Sequence, residues 1–332
     1  MKIHMTPITD QGKKKEQTKG RRSRYVPNLA EFYFKPTFDW TKEEAHRLYT
    51  QVASSSTDIE LNVVRFEDCV SGMKKFPDKS IDLIIADPPF GIDFDGKSSV
   101  YNRDESLVIE GYEETDESYY EFTARWLAEL PRIMKPSSSA YVFSGWTNLD
   151  AVLRGARDAG LVTLNHLIWH YPFGVYTKKR FVTSHYHIVL LVKNLREYYF
   201  NKIENYPEDV WTVKRRYRTG LTKNATKLPL QVVSRCLDFS SRPGDIVLDP
   251  FMGNGTTAVA AKLNYRHFVG FEINKKLRSL LNKEISKVGI GDSYIPYSDR
   301  LPTIEELAEI YPKAYREYQH REKISQCSEK GE

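Results

Sequence analysis

Cysteine is scarce in this chain. Its three thiols, Cys69, Cys236 and Cys327, are odd in number and lack metal-ligand spacing, which argues against a disulfide framework and against a zinc site. Long apolar runs are missing too, since none approaches the ~18 consecutive apolar residues of a membrane span. The opening residues, MKIHMTPITDQGKKKEQ, hold no apolar stretch of the kind that marks a secretory leader, so a cytoplasmic protein is expected. Neither sign of charge dominates. With 49 basic and 44 acidic residues the net charge is +5, so a polyanion would have to be met by local clusters rather than by the whole surface. No repeat of solenoid length is visible.

What is present is the composition of a globular protein with a sizeable core. The 332 residues are 40% hydrophobic and 28% charged, which excludes a collagen, a coiled-coil rod or a disordered chain. Residues 1–25 are polar, basic and without apolar periodicity, and read as a disordered arm. Residues 26–60 read as a helical extension. In FDWTKEEAHRLYTQVA a threonine precedes two glutamates and then helical spacing of apolar residues, the pattern of a capped helix. From residue 61 to about 290, short apolar strands alternate with amphipathic segments: LNVVRF, SIDLIIADPPF, SAYVFSG, VTLNHLIWHY, YHIVLLVKN, DIVLDPF and HFVGFEI. This rhythm predicts an α/β fold, a doubly wound, mostly parallel sheet with helices on both faces. A basic, turn-rich stretch at about 195–225 holds no period and reads as an insertion. Residues 291–332 read as a helical tail interrupted at Pro312.

Basic clusters punctuate the chain. Lys13 to Arg24 is one; Lys178, Lys179 and Arg180 form a second; Lys214, Arg215, Arg216 and Arg218 form a third, inside the insertion. Each is suited to neutralising phosphates. The third also has guanidinium groups able to read guanine, which makes the insertion the candidate target-recognition region.

Two segments carry chemistry. In DIVLDPFMGNGTT a buried strand turns into a helix through Gly253 and Gly255, where a backbone without Cβ atoms lets a ligand approach closely. One strand–helix unit later, Glu272 ends HFVGFEI, where a carboxylate can accept both hydroxyls of a ribose. Thr257 and Ala258 stand where a dinucleotide fingerprint needs its third glycine, which disfavours a pyrophosphate. The second segment is IDLIIADPPF. Its strand stops at Asp87-Pro88-Pro89-Phe90, because consecutive prolines cannot donate to the ladder, and free carbonyls and an aromatic are left at the carboxyl edge of the sheet. An exocyclic amino group on a base is a poor nucleophile, its lone pair being delocalised into the ring. If Asp87 and a proline carbonyl each accept one of its N–H bonds, the nitrogen can pyramidalise and attack an activated methyl group. Phe90 would stack on a base flipped out of its helix.

Together, Asp87-Pro88-Pro89-Phe90 and Asp249-Pro-Phe-Met-Gly-Asn-Gly-Thr256 resemble the amino-methyltransferases of DNA, which methylate adenine N6 or cytosine N4 with S-adenosylmethionine. The catalytic motif precedes the cofactor motif with an insertion between them, which resembles the beta-class order. The resemblance implies a Rossmann-like methyltransferase domain over about 61–290, double-stranded DNA as partner, a homodimer, no metal, and a place in a restriction–modification system or as an orphan modification enzyme. It assigns Asp87, Pro88, Pro89 and Phe90 to the target base. It assigns Asp249, Phe251, Gly253, Asn254, Gly255 and Thr256 to the methionine and ribose side of the cofactor, Glu272 to the ribose and Asp68 to the adenine. Thr226 and Lys227 match the segment closing over the methionine moiety, although this chain reads Lys227-Leu228-Pro229 where the family more often has Lys-Pro. The family's His-Glu pair is His185-Tyr186 in this sequence. His166, His170, His185 and His187 are read as structural, since the transfer needs no imidazole. The stretch from Gly91 to Tyr120 reads as a loop or lid over the base.

Alternatives divide by chemistry. Methylation at cytosine C5 needs a thiolate, typically after proline, and none of the three cysteines follows one. Cytosine N4 enzymes more often begin the tetrapeptide with serine, so Asp87 favours adenine. RNA and protein-amide enzymes generally carry Asn-Pro-Pro-Tyr and the opposite motif order. A non-catalytic binding homologue is disfavoured by the intact Asp87, Gly253, Gly255 and Glu272.

Overall fold

The computed structural model describes residues 40–54, 58–89, 118–172, 174, 178–179, 181–204, 207–214, 227–300, 303–313, 315–317 and 319–320. The expected basic arm, Phe90, most of the expected lid, Arg180, Arg215, Arg216, Arg218 and Thr226 lie outside the described residues. The chain divides into two compact units, and the larger, Pro36–Glu306, holds every strand among the described residues.

The first helix, α1 (Lys42–Ser54), starts as its sequence predicts. Thr41 N–H donates to Glu44 Oε2 at 2.9 Å and Glu44 N–H donates to Thr41 Oγ1 at 3.1 Å, a reciprocal cap. Ala45 and Tyr49, four apart and so on one face, are its buried residues. The Tyr49 ring stacks on His267 with centroids 4.0 Å apart. Asn62 Nδ2 donates to His267 Nδ1 at 3.0 Å, which leaves His267 Nε2 to donate to the Tyr49 carbonyl at 3.0 Å. The imidazole is thereby held neutral, and burial lowers its pKa in the same direction.

Eight strands make one sheet: β1 (Val63–Arg65), β2 (Ile81–Ala86), β3 (Met134–Ser144), β4 (Val162–His170), β5 (His185–Val192), β6 (Val210–Thr212), β7 (Ile246–Asp249) and β8 (His267–Phe271). Their order is β1-β8-β7-β2-β3-β5-β4-β6. Successive residues alternate between two cores, as the two-residue period of a strand requires. Ile84, Ala86, Val142, Leu248 and Val269 face α3 (Tyr119–Leu127) and α5 (Leu149–Asp158), which contribute Trp126, Leu127, Val152 and Ala156. Leu83, Ile85, Tyr141, Val247 and Phe268 face α6 (Leu230–Ser240), α7 (Thr256–Leu263) and α8 (Arg278–Ser286), which contribute Val233, Leu237, Ala261 and Leu281. Each large apolar side chain so buried stabilises the fold by ~1.5–3 kcal/mol before entropy is counted. At the amino edge, Asp82 ties three strands together: its carboxylate takes Lys135 Nζ at 2.7 Å and the Ile246 N–H at 3.0 Å.

The sheet is mostly parallel, as expected, but β5 runs antiparallel to both β3 and β4. The turn-rich stretch from Leu195 is also less irregular than its sequence reads. Val210–Thr212 forms β6, parallel to β4, and Trp211 is buried beneath the Arg235 guanidinium, 5.1 Å from the ring centroid. Three residues are too short a run to show a period, so only the partner strand reveals it. Beyond the sheet, Ile304–Ile310 forms a helix that stops two residues before Pro312. Among the described residues, no helix is long and apolar enough to cross a membrane.

Candidate active site

Parallel strands that stop together place their following loops on one edge. Leu83 and Ile84 of β2 pair with Val247 and Leu248 of β7, while Asp249 of β7 pairs with Gly270 of β8. On the outer side, Arg65 of β1 pairs with Phe271. The carboxyl edge therefore receives Asp68, Glu272, the 249–255 turn and Asp87 in sheet order.

Glu272 is the most constrained group there. It is 6% exposed; Oε2 accepts the Gly253 N–H at 2.8 Å and Oε1 accepts the Asn274 N–H at 2.7 Å. Its own N–H donates to the Arg65 carbonyl at 3.0 Å. Burial raises its pKa, and the backbone donors oppose that shift. The Asn274, Gly253 and Ile273 N–H groups all act on this carboxylate, and part of its acceptor capacity is left for hydroxyl donors. Asn274 was not read from the sequence. It caps the short helical turn Lys275–Leu277, with its side chain accepting the Lys276 N–H at 3.0 Å, and a capping residue two positions past the acid was the available signal.

Asp249 is buried deeper still, at 4% exposure. Burial pushes its carboxyl up to about 7, against the hydrogen bonds from the Thr257 hydroxyl and the Phe251 N–H, the latter 2.9 Å long. A buried carboxyl so placed favours a cation beside it. The two turn glycines differ in purpose. Gly253 has φ +50° and a Cβ there would meet only the Phe251 carbonyl at 3.7 Å, so its outer side is open. Gly255 has φ +77°, and a Cβ would stand 2.7 Å from Leu281 Cδ2. The absence of a Cβ there lets the turn pack against α8.

The remaining predicted residues fall into place unevenly. Phe251 turns its ring onto α3, 5.3 Å from Trp126 and 5.9 Å from Phe122, so it anchors the turn to the core. Thr256 opens α7 and its hydroxyl donates to the Leu228 carbonyl at 3.2 Å, which brings Lys227 beside the site. Lys227 pairs with Glu284 at 3.4 Å. Asp68 is exposed and caps α2 (Cys69–Met73) through Oδ1, which accepts the Ser71 N–H at 2.9 Å and hydroxyl at 3.0 Å. Asn254 is half-buried in the turn. At the end of β2, Pro88 is buried while Asp87 and Pro89 are half-buried. Lys178 and Lys179 are exposed between β4 and β5, and Lys214 is exposed just past β6. The histidines pack on one another: His166 Nε2 lies 2.7 Å from His187 Nδ1, and burial lowers the His187 pKa to about 4.

A buried carboxylate at the end of β8, an open glycine turn after β7 and an Asp-Pro-Pro segment after β2 stand in sheet order on the carboxyl edge, where enzymes of the doubly wound class bind their ligands. Residues 81–283 match the N6/N4 methyltransferase family described as DNA methylase. That is more than half of the chain, and the protein belongs to this family. It is 29% identical over 248 residues to the Type II methyltransferase M.HinfI of Haemophilus influenzae, covering 69% of each chain. It is 26% identical over 299 residues to the DNA adenine methyltransferase YhdJ of Escherichia coli (strain K12), covering 80% of this chain and 93% of that one. The solved structure of the M1.HpyAVI–SAM complex aligns with a TM-score of 0.51 at 22% identity, over 67% of this chain and 98% of that one. The cytosine-N4-specific PvuII DNA methyltransferase aligns at 0.53 with 14% identity, over 72% and 98%. These two likenesses concern the fold.

Proposed function

We propose that the protein methylates N6 of adenine in DNA with S-adenosylmethionine as donor, and that the residues gathered on the carboxyl edge carry out the reaction. The supporting observation is that β2, ending in Asp87-Pro88-Pro89, is the hydrogen-bonded neighbour of β7, which leads into the Asp249–Gly255 turn. The two strands that lead into the acceptor and donor segments are one strand spacing apart, ~4.8 Å. The residues fit the cofactor: Glu272 has acceptor capacity for the ribose hydroxyls, Gly253 leaves the turn open, and buried Asp249 favours the cationic end. Bound there, S-adenosylmethionine supplies an electrophilic methyl group.

The protein's part is to orient the amino group. Asp87 and a proline carbonyl each accept one N–H bond, which draws the nitrogen toward tetrahedral geometry and aims its lone pair at the methyl carbon. A nitrogen–carbon bond forms as the sulfur–carbon bond breaks, and the surplus proton then passes from the nitrogen to the Asp87 carboxylate and on to solvent. No covalent bond to the protein is needed. Lys178 and Lys179 follow β4 and Lys214 follows β6, and these lysines would supply charge to hold phosphates; Arg180, Arg215, Arg216 and Arg218 adjoin them in sequence and carry charge of the same sign. The homodimer that the resemblance implies is tested by light scattering of the purified protein.

The assay incubates the protein with unmethylated DNA and methyl-labelled S-adenosylmethionine, then separates the nucleosides of the digested product. Label in N6-methyladenine is the expected result. Label in N4-methylcytosine would keep the geometry and replace the base, and an unlabelled product would overturn the reading.

A further inference from the structure

Tryptophan is ordinarily well buried, and three of the five in this chain are: Trp126, Trp169 and Trp211 are at most 7% exposed. Trp40 is half-buried. Trp146 is 64% exposed. Its position matters more than its exposure. β2 and β3 are parallel neighbours, with Ala86 beside Val142, so Asp87-Pro88-Pro89 and Gly145-Trp146 leave adjacent strands at the same edge. One strand spacing, ~4.8 Å, separates the two exits. The cofactor strands β7 and β8 lie on the other side of β2. Trp146 therefore leaves the sheet on the β3 side of the Asp87 strand, with the cofactor strands on the other side.

Its backbone is held firmly. Trp146 opens a short helical turn, Trp146–Asn148, which runs straight into α5, while Ser144 beside it is fully buried with its hydroxyl on the Gly145 carbonyl at 2.9 Å. A rigid mount carrying an exposed indole on the β3 side of a catalytic edge has the form of a stacking platform. Aromatic faces hold bases of any identity, because every base has a π-face.

We propose that Trp146 stacks on the target base as it is delivered to Asp87, and so positions its amino group. The inference rests on the reading of this chain as a DNA amino-methyltransferase. It predicts that Trp146→Ala lowers kcat/KM for duplex DNA by about tenfold or more, and that Trp146→Phe restores most of the loss because a flat ring remains. Cofactor affinity should be unchanged in both, since β7 and β8 are untouched.

The deciding experiment is fluorescence. The protein is titrated with a duplex bearing its mapped methylation site, and with the same duplex lacking the target base at an abasic position, while binding is followed separately by anisotropy of labelled DNA. Stacking predicts that the intact duplex quenches the acrylamide-accessible emission, that the abasic duplex binds without doing so, and that Trp146→Phe removes the difference. Equal quenching by both duplexes, or a Trp146→Ala variant within twofold of the wild-type kcat/KM, would overturn the proposal. The comparison reads stacking whichever base accepts the methyl group. A wild type that labelled cytosine would thus defeat the adenine reading and leave the role of Trp146 standing on the quenching result.

Discussion

The Glu272 carboxylate and the Gly253 backbone N–H meet at 2.8 Å, joining the end of β8 to the turn after β7. The group proposed for the ribose and the turn proposed for the methionine side are therefore one mechanical unit. Glu272→Ala removes an acceptor for both Gly253 and Asn274, and should weaken S-adenosylmethionine binding by about tenfold or more, a loss of ~1.4 kcal/mol or greater. Glu272→Gln, which keeps one acceptor oxygen, should fall between the two. Calorimetric titration of cofactor into each variant measures the order, and equal affinity in all three would remove Glu272 from the cofactor site.

Asp87 is expected to act on turnover, not on cofactor affinity. Its carboxylate supports charge that develops on the amino nitrogen during transfer, and losing one such preorganised partner costs about 100-fold in rate or more. Asp87→Ala should therefore lose at least that factor in kcat and bind S-adenosylmethionine like the wild type. Near-normal turnover would sink the catalytic assignment.

Asp249 is expected to make cofactor affinity depend on pH. With burial holding its carboxyl at about 7, the group is mostly neutral at pH 6 and mostly ionised at pH 8. A cationic ligand end favours the ionised form, so affinity should rise about tenfold across that interval, and binding should release close to one proton at pH 6 and almost none at pH 8. The sign for stability is opposite. Because the folded protein retains this proton after the unfolded chain has lost it, this group makes the free protein less stable as pH rises from ~4 to ~7. Titrations at several pH values, with Asp249→Asn as a flat control, check both directions.

Gly255 is required by its surroundings twice over. Alanine there adds a strained φ of +77° and a Cβ at 2.7 Å from Leu281 Cδ2. Gly255→Ala should cost about 1–3 kcal/mol in denaturant unfolding. Leu281→Ala opens space and relieves only the contact, so the double variant should be more stable than the sum of the single losses by ~0.5 kcal/mol or more. Strict additivity would mean the backbone conformation alone demands glycine.

Much of this was legible in the residues in order. The cap of α1 was readable from Thr41 and Glu44, because a capping box is a contact between neighbours in sequence. The strand–turn–helix at Asp249 and the strand end at Asp87 were readable for the same reason, since prolines and glycines act on their own backbone. The antiparallel insertion of β5 was not, because HYHIVLLV is a continuous buried run that reads the same whichever way its neighbours run. Nor was β6, whose identity depends on β4.

Local chemistry, then, is what the sequence determined by itself: most of the strands and helices, which carboxylates end strands, and where an Asp-Pro-Pro segment stops one. Tertiary structure alone decided that β2 lies beside β7, that Glu272 reaches back to Gly253, that Phe251 faces the core and Gly255 faces Leu281, and that Trp146 stands in solvent past the end of β3, the strand beside β2. The physical reason is range. Capping, turn formation and strand periodicity act over a few residues, whereas burial, desolvation and the juxtaposition of strand ends depend on partners tens or hundreds of positions away.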